Sequence, residues 1–173
     1  FIMAWSNGHP AKVMTATKIA DQIVIDGVLD EKTWKLTNSG SDFIQTEPTP
    51  GNASVFQTQV YFLYDNNAIY IGARMTDPEP QKILKELSIR DQTGNTDNFS
   101  VFLDPFNSGL HGFIFLVTAS GVQLESIVTN HEDDTNWNAV WESAVSQDSA
   151  GWYAEFRIPY SSIRFPSASV QRW

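Results

Sequence analysis

Few residue patterns in this 173-residue chain have the spacing of a catalytic or metal site. The pair His131-Glu132 begins like a zinc-protease motif, but Thr135 stands where that motif needs a second histidine. The other histidines, His9 and His111, are distant in sequence, whereas zinc needs three or four converging nitrogen or sulfur ligands. Cysteine is absent, which excludes disulfides, thiol catalysis and iron–sulfur clusters. The sequence therefore predicts no zinc centre.

The sequence also contains no recognisable motif of a hydrolase. A serine hydrolase would need a Gly-x-Ser-x-Gly turn between a strand and a helix, and the chain has none. A glycosidase needs two carboxylates facing one cleft. The 20 acidic residues include many pairs by chance, but no local pattern marks an acid and a nucleophile. Because no nucleophile and base can be named, we predict a non-catalytic domain.

Calcium is the metal that the acidic side chains favour. Oxygen-bearing side chains alternate from Asp91 to Asp97, and a second loop has consecutive carboxylates after His131. Ca²⁺ prefers six to eight such oxygen ligands. The predicted ligands are Asp91, Asp97, Asp133 and Asp134. The closing glutamate of a helix–loop–helix calcium loop is missing, since Phe102 occupies that position, so solvated turn carboxylates are the alternative.

Aromatic residues in polar loops favour saccharide binding. A sugar ring stacks its C–H face on an aromatic side chain, and its hydroxyls bond to carboxylates, amides and guanidinium groups. The predicted stacking residues are Trp137, which lies between Asn136 and Asn138, and Phe106. Their predicted polar partners are Arg90, Asp91, Asp97 and Glu132. The alternative for Arg90-Asp91 is a structural ion pair at the end of a sheet.

Charge and hydropathy exclude several partners. The net charge of −9 argues against nucleic acid and against anionic lipid, since both need a dense Lys/Arg surface. No apolar run approaches the roughly 18 residues of a membrane-spanning helix. Aromatic residues make up 13% of the chain, so there is ample apolar area for a core. Trp34, Trp141 and Trp152 are predicted to be core residues, because each lies in or beside a periodic segment.

The dominant hydropathy period is two, which predicts strands. The predicted strands are residues 57–64, 68–76, 98–103, 112–118, 122–128, 139–145 and 152–158. At least seven short strands at even spacing predict an all-β fold, an antiparallel β-sandwich of jelly-roll or immunoglobulin-like type. In the last strand, Trp152 and Phe156 should face the core, and Glu155 should face water with its neighbours.

One or two short helices are predicted beside the strands. Asp30 can cap the first, which would turn Trp34 inward. The second is predicted over residues 81–87, with Ile83 and Leu87 on one face. Residues 1–18 are interpreted as an extension, a tag or a processed start, and residues 19–173 as the sandwich. Since the chain ends at Trp173 on the approach to another strand, we expect one or more final strands beyond it.

Five stretches, in this order, resemble the family 9 carbohydrate-binding modules. The opening stretch contains Asp26-Gly27 and Asp30-Glu31-x-x-Trp34. The five stretches are residues 23–34, 60–73, 97–104, 112–115 and 151–159. The sequences around Arg90-Asp91 and Asp104-Pro105-Phe106 resemble those of one subgroup of this family. Members of that subgroup lie at the N-terminus of large exported bacterial proteins. Those proteins often carry a region predicted to form an outer-membrane barrel.

The resemblance implies a β-sandwich that binds a saccharide, often a chain end, without cleaving it, and in which calcium can be structural. It implies export to the periplasm, outer membrane or extracellular space, as part of a larger polypeptide. The chain differs from the sugar-binding members at two places. Gly94-Asn95-Thr96 replaces the stretch that contains their stacking tryptophan, and Ser100 replaces a glutamate. The alternative function is therefore a structural or interaction sandwich that has lost sugar binding.

Overall fold

Two β-sheets pack face to face in the computed structural model, which describes residues 13–173. In the described part, one sheet has five strands in the order β1-β2-β3-β9-β8, and the other has four in the order β4-β5-β6-β7. The strands are β1 (Thr17–Lys18), β2 (Thr58–Tyr64), β3 (Ala68–Thr76), β4 (Asn98–Leu103), β5 (His111–Thr118), β6 (Gln123–Thr129), β7 (Glu132–Asp134), β8 (Glu142–Asp148) and β9 (Gly151–Pro159). All neighbours are antiparallel except β1 and β2. The predicted β-sandwich is confirmed.

The core lies between the inner faces of the two sheets, where alternate residues of each strand meet. Phe156 of β9 and Phe115 of β5 are both fully buried, and Trp141 packs edge-to-face between their rings. The predicted burial of Trp34, Trp141 and Trp152 is confirmed, since none exceeds 6% exposure. Burying rings of this size supplies much of the apolar area that stabilises a small domain.

The helices are shorter than predicted. The structure has 3₁₀ turns at Lys32–Leu36, Pro80–Lys82 and Tyr160–Ser162. Glu31, and not Asp30, occupies the N-cap of the first turn, and no side chain caps it. The predicted helix over residues 81–87 is wrong beyond Lys82, since Ile83 is buried while Leu87 is 79% exposed. The backbone after Lys82 pairs instead with the residues before β4, since the Leu84 carbonyl accepts from the Asp97 amide at 3.0 Å and Lys85 forms a bridge with Thr96.

A second apolar cluster lies on the outer face of the five-stranded sheet. Residues 19–36 cross this face and bury Ile19, Ile23 and Trp34 against side chains of β2 and β3. Gly72 of β3 lies beneath this segment, where an added Cβ would come within 2.7 Å of Leu29 Cδ2 and 3.0 Å of the Trp34 ring. The close approach of the segment to the sheet therefore requires a residue without a side chain.

Glu155 fixes the same segment to the sheet. Its side chain points to the outer face, but it is fully buried, which corrects the prediction that it meets water. Its Oε2 accepts hydrogen bonds from the amides of Asp26 (3.0 Å) and Gly27 (2.7 Å). Period-two alternation predicts which face a residue occupies but not whether a later segment covers that face.

Two strands were missed by the sequence interpretation. Thr17–Lys18, assigned above to the N-terminal extension, form β1 and pair with Leu63 and Tyr64 of β2. Glu132–Asp134 form the edge strand β7 beside β6. Both are only two or three residues long and lack an alternating apolar pattern, so periodicity does not reveal them. The remaining extension, residues 1–12, lies outside the described residues.

Within residues 13–173, none of the helical turns has the length and apolar character needed to cross a bilayer.

Candidate functional site

The six predicted ligand-binding residues do not lie together in the structure. Asp97 precedes β4, and its carbonyl accepts a hydrogen bond from Ala119, just past the end of β5. Phe106 follows β4 at the opposite end of the sheet, near the start of β5. The eight residues of β5 separate these two ends by about 25 Å. The six residues therefore do not surround a single sugar ring, and their binding roles stay predictions.

Arg90 has a structural partner, in agreement with the alternative given above. Its guanidinium forms an ion pair with Glu125 of β6, and it also bonds to Gln123 Oε1 at 2.5 Å. Glu125 points inward and is fully buried. It also accepts hydrogen bonds from the Ala139 amide (3.1 Å) and from Trp141 Nε1 (3.0 Å). Arg90 therefore neutralises a carboxylate of the core, and its role as a sugar contact stays a prediction.

Asp91 and Asp97 lie at the same end of the four-stranded sheet as Arg90. Asp91 adopts a positive φ of 68°, and its amide donates to the Gln123 carbonyl at 3.1 Å. Its Oδ1 is buried and has no hydrogen-bond partner among the described residues. Burial raises the pKa of Asp97, and the charge of Asp77 acts in the same direction. These two carboxylates form no ion pair among the described residues, and their roles as ligand-binding residues stay predictions.

Phe106 lies in a rigid loop at the other end. Asp104 is buried and accepts hydrogen bonds from the amides of Phe106 (3.2 Å) and Gly109 (2.6 Å). The loop presents the Phe106 ring with 53% of the residue exposed. Glu132 is exposed on the edge strand β7, opposite Thr129, so it shares this end of the sheet. The ring is therefore accessible, and the stacking role of Phe106 stays a prediction.

Trp137 has a packing role that its polar neighbours in sequence did not reveal. Its ring lies 5.2 Å from the Phe113 centroid and 6.0 Å from the Phe115 centroid, both on the inner face of β5. The side chain is half-buried and closes one edge of the core. Part of the ring is accessible to a ligand, but replacing Trp137 also removes core contacts.

The four predicted calcium ligands do not converge. Asp91 lies beside the start of β6, whereas Asp133 pairs with Val128 near the end of that strand, with Asp134 next to it. Within residues 13–173, no group of three or more histidine, aspartate and glutamate side chains could hold a metal ion. The predicted four-carboxylate set therefore does not fit a single calcium ion, and calcium binding stays a prediction.

A cleft on the outer face of the five-stranded sheet was not predicted. It lies between the segment that crosses this face and strands β2, β3, β8 and β9, and its volume is about 540 Å³. Its polar and aromatic lining includes Asp30, Lys35, Tyr61, Arg74, Asp148 and Tyr153. The lining residues are far apart in sequence, and only the packing of residues 19–36 over the sheet brings them together. Alternation in β2, β3 and β9 indicates which residues face outward, but it does not show that this face holds a cleft.

Arg74 and Tyr153 form the floor of this cleft. They are cross-strand neighbours, and the guanidinium carbon of Arg74 lies 5.7 Å from the Tyr153 ring centroid. The Tyr153 hydroxyl donates to Asp148 Oδ2 at 2.8 Å. Hydrogen bonds from the Ala150 amide and from this hydroxyl lower the pKa of Asp148, so it is charged at neutral pH. Arg74 Nε is buried with no hydrogen-bond partner among the described residues.

The fold and these surfaces define a β-sandwich module whose exposed chemistry is that of ligand binding. The sequence matches the carbohydrate family 9 binding domain-like family over residues 25–171. The chain therefore belongs to this family, as the resemblance predicted. The family consists of binding modules, so the domain is not an enzyme.

Two similar solved structures agree with the fold. One is a family 9 carbohydrate-binding module from Caldicellulosiruptor kristjanssonii in complex with cellotriose, with a TM-score of 0.59 and 19% identity over 85% of this chain and 68% of that chain. The other is a family 9 module from the same organism in complex with glucose, with a TM-score of 0.57 and 18% identity over 88% of this chain and 72% of that chain. None of the curated proteins matches the sequence. At this identity the two structures establish the shared fold.

Proposed function

We propose that this domain binds saccharides without cleaving them, as one module of a larger exported protein. The observation that carries the proposal is the family match over residues 25–171. The two similar modules hold cellotriose and glucose, which makes neutral glucose-containing saccharides the first ligands to test. A bound module would raise the local concentration of saccharide for the rest of the polypeptide, because tethering turns the next encounter into an intramolecular one.

Phe106 is the predicted residue best placed to stack on a sugar. Its ring is exposed, its loop is held by buried Asp104, and Glu132 lies at the same end of the sheet. Binding would consist of the C–H face of a sugar on the ring, with hydroxyls bonded to nearby carboxylates and amides. Trp137 can add contact area at the core edge. No step in this mechanism changes a covalent bond.

Calorimetric titration with glucose and cellotriose tests this proposal. We expect saturable binding by the wild-type domain, and a loss of affinity of up to about tenfold in Phe106→Ala, because stacking on one ring contributes roughly 1 kcal/mol. Val170→Ala is a matched control, since Val170 is another exposed apolar residue and is 72% exposed. An absence of heat with any mono- or oligosaccharide would contradict saccharide binding. Binding that is unchanged in Phe106→Ala would remove Phe106 from the site.

Export to the cell envelope is supported by the subgroup resemblance around Arg90-Asp91 and residues 104–107. The full-length protein should be found in the periplasm, the outer membrane or the medium. Fractionation of the source cells with an antibody against this domain measures this. Recovery of the protein in the cytoplasmic fraction alone would contradict export.

We also propose a structural calcium ion, bound near Asp91. The buried and unpartnered Oδ1 of Asp91 makes its end of the four-stranded sheet the better place for an ion than the exposed Asp133 and Asp134. Calcium should then raise the melting temperature relative to chelator, and Asp91→Asn should abolish the difference. If the wild-type domain melts at the same temperature in calcium and in chelator, the calcium proposal is wrong.

An interaction domain without sugar binding is the second candidate function. The outer face of the four-stranded sheet is apolar, and its residues are only partly covered within the described chain. These outward residues are Phe102, Ile114, Leu116 and Leu124. Ser100 lies on the same face. If this face packs on the rest of the polypeptide, Leu124→Asp should lower the melting temperature of the full-length protein more than that of the isolated domain.

A further inference from the structure

We propose that the cleft on the outer face of the five-stranded sheet binds a neutral saccharide unit on the Tyr61, Arg74 and Tyr153 surface. This inference rests on the proposed function, and it names a second site that is remote from Phe106 in the fold. The cleft of about 540 Å³ lies within the roughly 300–1,000 Å³ typical of small-molecule sites.

The walls of the cleft are held in place by packing and hydrogen bonds, so the site is formed before any ligand arrives. Trp34 packs edge-on against Tyr61, with ring centroids 6.4 Å apart. The Trp34 ring is itself fixed by a 3.0 Å hydrogen bond from its Nε1 to Glu31. On the other side, Ser146 Oγ donates to the Gly27 carbonyl at 2.6 Å and links β8 to the covering segment. A preformed cleft lowers the entropic cost of binding.

The lining combines the two kinds of group that a sugar ring needs. Tyr61 and Tyr153 are half-buried and offer aromatic surface for a C–H face. Arg74 has no carboxylate oxygen within ion-pair distance among the described residues, although its charge helps to lower the pKa of the nearby Asp148. Its guanidinium lies over the Tyr153 ring. Its N–H groups can therefore donate to hydroxyl oxygens. Asp148 can accept from hydroxyls, since a carboxylate has about four lone-pair sites and its present donors do not use all of them.

The charge of the lining indicates a neutral ligand. Two cationic residues, Lys35 and Arg74, are balanced by two anionic residues, Asp30 and Asp148. A site for an acidic sugar or a phosphate would carry an excess of positive charge, since an anion needs compensation when it loses water. Alternating donors and acceptors around aromatic rings instead suit the neighbouring hydroxyls of an uncharged hexose.

Titration of the isotope-labelled domain with cellotriose, followed by amide NMR, tests the location. We expect the largest shifts at residues 72–75, 146–148 and 152–154. Arg74→Met and Tyr153→Ala should each weaken cellotriose binding at these amides by about tenfold, and Tyr153→Phe by less, because it keeps the ring. Val170→Ala is the control and should leave these shifts within twofold, since Val170 is an exposed apolar residue that does not line the cleft.

The outcomes separate this inference from the proposed function. Shifts confined to the Phe106 loop, with Tyr153→Ala and Arg74→Met unaffected, would overturn the cleft site while supporting saccharide binding. No shifts at any amide with cellotriose or glucose would overturn both. A trimer of galacturonic acid is the charged probe, and it should bind the cleft more weakly than cellotriose. If the galacturonic acid trimer binds more tightly than cellotriose, and Arg74→Met abolishes that binding, the assignment of a neutral ligand is wrong.

Discussion

Glu125 and Glu155 are fully buried glutamates in different sheets, and the structure stabilises them in opposite ways. Glu125 faces the core and has a cation, Arg90, together with hydrogen bonds from Ala139 and Trp141. Glu155 faces the outer side of its sheet and has only the amides of Asp26 and Gly27. Its Oε1 has no hydrogen-bond partner among the described residues.

The absence of a nearby cation around Glu155 among its described contacts has an electrostatic consequence. Burial raises the pKa of Glu155 from 4.5 to about 7, despite the two amide hydrogen bonds, and the charges of Glu31 and Asp26 act in the same direction. A buried carboxylate without a cation favours its protonated form. The comparison shows that equal burial has different effects on stability, and that the partner decides which effect results.

The largest effect is expected from Glu125→Ala. It leaves the buried Trp141 Nε1 and the Ala139 amide without their acceptor, and each lost partner of this kind is costly. We expect the free energy of unfolding to fall by about 3 kcal/mol, measured by urea denaturation. Glu142→Ala is the matched control, because it removes the exposed Arg157–Glu142 pair and should cost less than about 1 kcal/mol. Equal losses in the two variants would contradict a special role for Glu125.

The next largest effect is the pH dependence that Glu155 produces. Because its pKa in the folded state is raised above the ordinary value of 4.5, folding favours the protonated form. The stabilising contribution is full below about pH 4.5 and is lost as the pH rises through about 7. We expect a loss of roughly 2–3 kcal/mol across this window, since one pKa unit corresponds to about 1.4 kcal/mol.

The Glu155→Gln variant isolates this contribution. Glutamine keeps an acceptor for the Asp26 and Gly27 amides but cannot ionise. The difference in the free energy of unfolding between wild type and Glu155→Gln should therefore grow in favour of the variant between pH 5 and pH 8. Chemical denaturation at several pH values measures it. Parallel curves for the two proteins would show that Glu155 keeps an ordinary pKa.

The smallest effect is expected from Arg90→Met. This change removes the cation beside Glu125, so that Glu125, like Glu155, is left with neutral donors only. The guanidinium is partly exposed, so losing its ion pair with Glu125 should cost about 1 kcal/mol at neutral pH. Urea denaturation of the wild type and of Arg90→Met at neutral pH measures this loss. A loss as large as that of Glu125→Ala would contradict the expected order of the two effects.

Most of the strands could be predicted from the sequence, because strand periodicity is local. The prediction of residues 68–76 agrees with β3 at both ends, and that of residues 98–103 with β4. The loop after β4 was recognised as turn-rich, and its exposed Phe106 agrees with the predicted position. The edge strands β1 and β7 were missed because they are held by pairing with a neighbour rather than by a pattern of their own.

The candidate site was predicted less well, because the spacing of nearby residues does not show which distant residues are brought together by the fold. Arg90 was expected near a ligand, but its partner is Glu125, 35 residues away in sequence. Trp137 lies in a polar stretch, yet its ring contacts Phe113 and Phe115. A polar neighbourhood in sequence does not exclude a packing role, since side-chain burial depends on which strands are placed beside the loop.

The sequence by itself determined that the chain folds as a β-sandwich and has no pattern typical of an enzyme, because alternation and motif spacing are properties of short segments. The tertiary structure alone decided which faces are covered. Residues 19–36 cross one sheet, bury Glu155 and create the cleft beside Arg74 and Tyr153. The physical reason is that burial and charge compensation arise from contacts between segments distant along the chain, and these contacts form only when the whole domain packs.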